Sequence, residues 1–205
     1  MSSKAHWQQV YTSKVTTEVS WFQAHAESSL RFIGESGIAR TDAIIDIGGG
    51  ASTLVDDLLV DGYRRISVLD LSAAALFVAQ NRLGDRADEV SWIEADITRS
   101  ELPANGFDLW HDRAAFHFLI EDEDRRRYAS TVLHAVKPGG HVIIATFAED
   151  GPLKCSGLPV KRYDAAQLQA EFGEAFMLMQ HGRESHRTPF DTIQQFTWCY
   201  FRKST

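Results

Sequence analysis

The stretch IIDIGGGAST, residues 44–53, decides how the rest of the chain is read. With Ala43 it gives AIIDI, an apolar run around a single acid, and three glycines follow at once. A run this short and this rich in β-branched residues, ended by glycine, reads as a buried strand. Glycines at its end permit positive φ and let another group come against the backbone. Taken alone, the turn reads either as a tight strand-to-helix connection or as a place where a ligand touches the main chain.

Outward from that turn, apolar runs and helical patterns alternate. STLVDDLLVDG (52–62) predicts a helix with Ser52 or Thr53 near its cap and Gly62 past its end. RISVLDL (65–71) predicts a strand, and SAAALFVAQNRLG (72–84) a helix capped by Ser72 and closed by Gly84. EVSWIEAD (89–96) and FDLWHD (107–112) predict two more strands. EDRRRYASTVLHAVK (123–137) predicts a helix stopped by Pro138-Gly139-Gly140, with HVIIATF (141–147) as the next strand. A helix is expected over 23–36, with Leu30 and Ile33 on its apolar stripe, and a short one over 164–172. FMLMQHGRE and QQFTWCYFR follow each other without a helix and read as a terminal hairpin, with HRTPFDT (186–192) as its turn. Strands separated by helices of this length give an α/β fold: a doubly wound, seven-stranded, mostly parallel sheet with an antiparallel C-terminal hairpin strand.

The chain has 205 residues, 44% hydrophobic and 24% charged, which suits one sizeable core and one domain over residues 1–205. Its formal net charge of −7 argues against non-specific nucleic-acid binding, which needs a basic surface. The one basic cluster, Arg125-Arg126-Arg127, lies among acids and reads as a solvated helix start. Two cysteines, Cys155 and Cys199, show neither metal spacing nor a disulfide framework, so a reducing, cytoplasmic setting is expected. The first residues lack a signal-type apolar core, no run is long enough to span a bilayer, and no membrane partner is expected. Nothing in the sequence speaks to the oligomeric state.

Two further acids sharpen the glycine turn. Asp70 ends the second strand, and Asp96 ends the third. In a doubly wound sheet, ligands sit beyond the carboxyl ends of the strands. Asp70 there can accept from both hydroxyls of a ribose, and Asp96 can accept from an adenine amino group. Each acid alone also reads as a cap at a strand end, but three in succession, with Asp46, point to a nucleoside crevice. A dinucleotide fingerprint would place its third glycine at Thr53, and no P-loop lysine follows.

In this order DIGGGAS, VLDLS, EADI, FDLWHD and VKPGGHVII resemble the class I S-adenosylmethionine-dependent methyltransferases over roughly residues 40–147. The resemblance implies a Rossmann-like fold and S-adenosyl-L-methionine as cofactor. It also implies a division into a lid and helix over 1–36, a cofactor-binding core over 40–147, and a substrate loop and hairpin over 148–205. It places the glycine turn, Gly48, Gly49 and Gly50 with Asp46, against the methionine and ribose portions. Asp70 then holds the ribose, Leu71 lies beside the adenosine, Asp96 takes the adenine amino group, and Ile97 packs on the ring. One departure is Ser52, which stands where the motif D-x-G-x-G-x-G has its last glycine. The segments HDRAAFHFL and HRTPF resemble a narrower group of small bacterial methyltransferases. More distant is the likeness to eukaryotic lysine methyltransferases, whose Asp-Lys pair after the fourth strand reads Asp112-Arg113 here.

Methyl transfer is an in-line displacement, so positioning supplies much of the rate, and a protic nucleophile also needs a base. HDRAAFHFL (111–119) borders the expected methyl position. His111 and His117 are the candidate bases, and His111 also a cofactor contact, although His117 between two phenylalanines also reads as a packed core residue. Asp112 and Arg113 read either as catalytic and substrate residues, Arg113 anchoring an anionic acceptor, or as a structural ion pair. A metal site from His111, Asp112 and His117 is disfavoured. Trp21 and Phe22 are expected as a lid over cofactor and substrate, or else as a hydrophobic staple at the following helix. Tyr11, Lys14 and Cys155 are further candidates for the mouth of the site. The acceptor is expected to be a small molecule or a protein lysine. Two other readings remain: a non-catalytic module that binds the cofactor, and a nicotinamide-dependent oxidoreductase, which the missing third glycine opposes.

Overall fold

The computed structural model describes residues 4–13 and 15–205. A helix α1 (Lys4–Ser13) leads through a single 3₁₀ turn to α2 (Glu27–Ser36). There follow β1 (Ala43–Ile47), α3 (Leu54–Val60), β2 (Arg65–Asp70), α4 (Ala73–Leu83), β3 (Val90–Glu94) and β4 (Phe107–Arg113). Beyond them come α5 (Asp122–Ala135), β5 (Val136–Phe147), a two-strand ribbon of β6 (Lys154–Cys155) and β7 (Leu158–Pro159), and α6 (Ala165–Phe172). β8 (Phe176–Arg187) and β9 (Ile193–Lys203) close the order.

Seven strands form one sheet in the order β3-β2-β1-β4-β5-β9-β8. The first five are parallel, and β9 enters antiparallel between β5 and β8. The strand order reverses between β1 and β4, which is the switch point where such sheets bind ligands. β1 is buried along its whole length, as a central strand covered on both faces must be. Its side chains alternate between two cores. Ile44 packs with Val68, Leu109 and Ile143 under α2 and α3, whereas Ile45 and Ile47 pack with Trp110, Tyr128 and Ile144 under α5.

Three expectations are corrected. The helix expected from residue 23 starts at Glu27, so Trp21 and Phe22 precede it by a loop and are no staple. The helix over 123–137 ends at Ala135, and Pro138-Gly139-Gly140 lies inside β5 rather than after a helix. A bulge in the β4–β5 pairing accommodates that turn; a Cβ on Gly140 would lie 3.1 Å from the Asp108 carbonyl oxygen. Third, Asp112 and Arg113 form no ion pair with each other. Neighbours in a strand point to opposite faces. The buried Asp112 carboxylate instead accepts from the backbone N–H of Ala115 (2.9 Å) and Phe116 (3.0 Å) and from the Tyr128 hydroxyl (2.6 Å). Burial nevertheless pushes its acid strength down, to a pKa of about 6.

Asp112 thus shapes the turn that follows β4. Asp112→Ala leaves three buried donors without an acceptor, and an unfolding free energy lower by about 3 kcal/mol is expected in urea titration. A loss below about 0.5 kcal/mol, the range of ordinary surface substitutions, would show that water takes over those bonds.

Candidate functional site

The glycine turn owes its composition to what stands behind it. Gly48 has φ +69°, and its N–H donates to the Leu69 carbonyl at 2.7 Å, which bends the chain back over β2. A Cβ on Gly49 would fall 2.2 Å from Asp46 Oδ2, and one on Gly50 2.5 Å from both Asp70 Oδ2 and the Ala75 Cβ. Two carboxylates therefore occupy the space that side chains would need. Asp70 accepts from the Ser72 N–H at 2.8 Å and from the backbone of Gly50 and Leu71. Burial, and to a lesser degree the Asp46 charge, raise its pKa to about 7 in spite of those bonds. Ser52, in place of a fourth glycine, accepts from the N–H of Leu54, the first residue of α3, at 3.2 Å; the N-cap itself is Thr53. Thr53 donates to the Gln23 carbonyl at 3.0 Å, tying the segment before α2 to the turn.

Asp46 and His111 are direct partners in the parallel β1–β4 register. Their side chains lie on the same face, and His111 Nδ1 sits 2.7 Å from Asp46 Oδ1. The other ring nitrogen, Nε2, lies 2.8 Å from the Ser29 hydroxyl of α2. All three are buried, and the carboxylate fixes the ring's orientation.

Two adjoining cavities, of about 120 and 60 Å³, open on this end of the sheet. They share Tyr11, Trp21, Ile47, Gly48 and Arg113 in their walls. The larger also meets Asp70, Leu71, Ala95, Ile97, Phe118 and Cys155. The smaller also meets Ser29, Asp46, Gly49, Ser52 and His111. Aromatic rings cover both: Trp7 packs edge-on against Trp21 (5.8 Å between centroids) and Phe118 (5.1 Å), and Tyr11 against Trp21 (6.3 Å). Gln8 of α1 anchors this cover. Its side-chain oxygen accepts from the Ser72 hydroxyl (3.1 Å) and the Ala74 N–H (3.2 Å), immediately beyond Asp70.

The other predicted residues are placed as follows. Arg113 donates through Nη2 to Glu184 of β8 at 3.2 Å, and its guanidinium lies 4.4 Å from the centre of the Phe196 ring. Gln23 reaches the same Glu184 oxygen at 3.4 Å. His117 is buried against Phe118 and Phe147, outside both cavity walls. Burial and the nearby Arg113 charge push its pKa down to about 3, which leaves a weak base outside both cavities. Asp96 lies past the end of β3, and one of its oxygens accepts from the Thr98 N–H (2.9 Å) and hydroxyl (2.7 Å). Phe22 meets only the smaller cavity. Lys14 lies outside the described residues. Among the described residues no group of three or more His, Cys, Asp or Glu side chains is placed to hold a metal ion.

A family model described as a methyltransferase domain matches residues 44–140. Over that span the chain is similar to the class I S-adenosylmethionine-dependent methyltransferases. Among its relatives is an uncharacterized methyltransferase of Mycobacterium tuberculosis, 34% identical over 110 residues that make up 52% of this chain and 51% of that protein. The chain thus spans about half the length of the curated relatives it matches first. The mouse eEF1A lysine and N-terminal methyltransferase is 23% identical over 84% of this chain and 26% of its own length. Among solved structures, a protein studied for conversion of a disulfide bond into a thioacetal group during echinomycin biosynthesis superposes with a TM-score of 0.77 at 18% identity, over 97% of this chain and 90% of that one. The 1,6-didemethyltoxoflavin-N1-methyltransferase of Burkholderia thailandensis does so with 0.71 at 17% identity, over 100% and 85%.

Several wall and anchor residues of the two cavities carry no local sequence signal. Ser29, Gln8, Gln23 and Glu184 are brought in by helices and by the hairpin from far along the chain. Trp7 stood in an aromatic-rich N-terminal segment, and Phe118 in HDRAAFHFL, but neither was singled out.

Asp70 yields a pH test. Its pKa is raised, so between about pH 4 and 7 the folded protein keeps a proton the unfolded chain has lost, and stability falls as pH rises through that window. Hydroxyl donors favour the carboxylate and expel that proton. Affinity for S-adenosylhomocysteine is therefore expected to be about tenfold higher at pH 8 than at pH 6, and Asp70→Asn to flatten the dependence. Equilibrium titration at the two pH values reads it; an equal slope in wild type and variant would assign the titration to another group.

Proposed function

We propose that this chain moves a methyl group from S-adenosylmethionine to a small acceptor enclosed by its aromatic cover. The observation that carries this is a pair of adjoining cavities that share Tyr11, Trp21, Ile47, Gly48 and Arg113 in their walls. The glycine turn and its two acids form one wall, and Trp7, Tyr11, Trp21 and Phe118 close the other. The residues fit the cofactor. The space a Cβ would need at Gly49 and Gly50 belongs to Asp46 and Asp70, and the exposed Gly48 lines both cavities, so its backbone lies open to a ligand. In this reading Asp70 takes the ribose hydroxyls, and Leu71 and Ile97 flank the adenosine. Asp96 offers its second oxygen to the adenine amino group. Gly48, Gly49, Gly50, Asp46 and His111 receive the methionine portion, with Trp21 and Tyr11 above.

When bound, S-adenosylmethionine supplies a methyl carbon on a positively charged sulfur. The chain's own residues orient and exclude water. The rings of Trp21 and Tyr11 offer π faces to a cation, and the apolar wall keeps the reacting groups dry, which favours a step in which charge is lost. His111 is held between Asp46 and Ser29, and His117 is walled off, so positioning rather than a histidine base is the main lever. An acceptor of the small-molecule kind suits the enclosed cavity; the toxoflavin methyltransferase named above acts on one. A protein lysine, as the mouse relative's name states for that protein, is the rival acceptor. The nicotinamide reading is opposed by Thr53, whose hydroxyl is engaged with Gln23 where a dinucleotide turn needs glycine. The cysteine count supports a reducing compartment such as the cytoplasm.

Calorimetric titration with S-adenosylmethionine, S-adenosylhomocysteine and NAD tests the cofactor. Binding of the first two near micromolar and none of NAD is expected; binding of NAD, or of nothing, would overturn the reading. For the cover, Trp21→Ala is expected to weaken S-adenosylhomocysteine about tenfold, mainly through faster dissociation in stopped-flow chase, with little change in melting. A large fall in melting temperature with unchanged dissociation would make Trp21 a packing residue only.

A further inference from the structure

Arg113 stands where the two cavities meet, yet its charge is already matched. Its Nη2 donates to Glu184 at 3.2 Å, and the pair is largely removed from water, with side-chain exposures of 11% and 13%. Gln23 donates to the same Glu184 oxygen and fixes it from the cover side. Arg113 Nε is buried without a partner, and among the described residues Nη1 has no partner either. The guanidinium can therefore still donate into the cleft, but it brings little net charge there. The other charged side chains on the cavity walls are the acids Asp70 and Asp46. A carboxylate seated on Nη1 would stand close to Glu184 on the same guanidinium. In apolar surroundings two like charges at that spacing repel strongly. A neutral oxygen or nitrogen acceptor meets no such cost and satisfies the free donor. The remaining wall, Trp7, Tyr11, Trp21 and Phe118, consists of ring faces and edges and favours a flat partner.

We propose that the methyl acceptor is an uncharged planar molecule, bound through a carbonyl or ring heteroatom that accepts from Arg113. Glu184 is the residue that rejects anionic analogues. This corrects the expectation that Arg113 anchors an anionic acceptor, and it rests on the methyltransferase reading above.

The test uses a matched pair of probes, benzamide and benzoate, on the full chain saturated with S-adenosylhomocysteine, with affinities read by ligand-observed NMR titration. Wild type is expected to bind benzamide at least tenfold more tightly than benzoate. Glu184→Gln frees the guanidinium charge and is expected to shift that ratio at least tenfold toward benzoate, with S-adenosylhomocysteine affinity and melting temperature held as controls. Benzoate binding as well as or better than benzamide in wild type would overturn the proposal, as would the binding of neither probe or a ratio unmoved by Glu184→Gln. If that variant does not fold, the wild-type ratio decides alone. Failure of S-adenosylhomocysteine itself to bind is a separate result and strikes the methyltransferase reading instead.

Discussion

Two carboxylates stand behind a turn that has no room for side chains, and much else follows from that crowding. Asp46 and Asp70 come from the ends of adjacent parallel strands and fill the positions that Cβ atoms on Gly49 and Gly50 would take. Burying two acids this close is costly, and the rise in the Asp70 pKa to about 7 records the cost. The surrounding chain offsets part of it with backbone donors at the start of α4 and with the His111–Ser29 pair behind Asp46. Hydroxyl donors or positive charge brought to this turn would lower that cost, which agrees with the proposed cofactor.

The sheet was legible in the sequence because its signals are local. AIIDI matches β1 residue for residue, and Ser72 and Gly84 bound α4 as read. The antiparallel β9 followed from two apolar runs with no helix between them. Errors fell where local pattern and long-range pairing compete. The helical periodicity of 123–137 runs two residues past the helix end at Ala135 because Val136 pairs with Phe107 across the sheet. Residues 23–26 looked helical but are drawn out as a loop that meets the glycine turn through Gln23 and Asp57 through Ala26.

Around the cavities, residue type and spacing marked the glycine turn and its acids far better than the residues that face them. Period-two alternation along β4 decides the roles of its last residues: His111 and Arg113 face the cleft side, and Asp112 faces the α5 core. Applied strictly, the same rule excludes an ion pair between Asp112 and Arg113. The true partner, Glu184, lies 71 residues away on β8, and no periodicity announces it. His117 illustrates a different limit, since only burial separates a base from a packed ring.

The cover and the terminal hairpin are joined over the cleft by two hydrogen bonds of very long reach. His186 Nε2 meets the Ser20 carbonyl at 2.9 Å, 166 residues apart, and Gln23 meets Glu184 across 161. Contacts so distant along the chain gain least from local order, and closing such loops is entropically slow. The clasp closes only after both ends of the chain are in place, and it joins the cover to a hairpin that is itself held in the sheet by β9. In kinetic terms, ligand exchange through this seam would have to break its two hydrogen bonds and ring contacts while the Gln8 anchor on α4 and the Thr53 tie to Gln23 hold the rest of the cover in place.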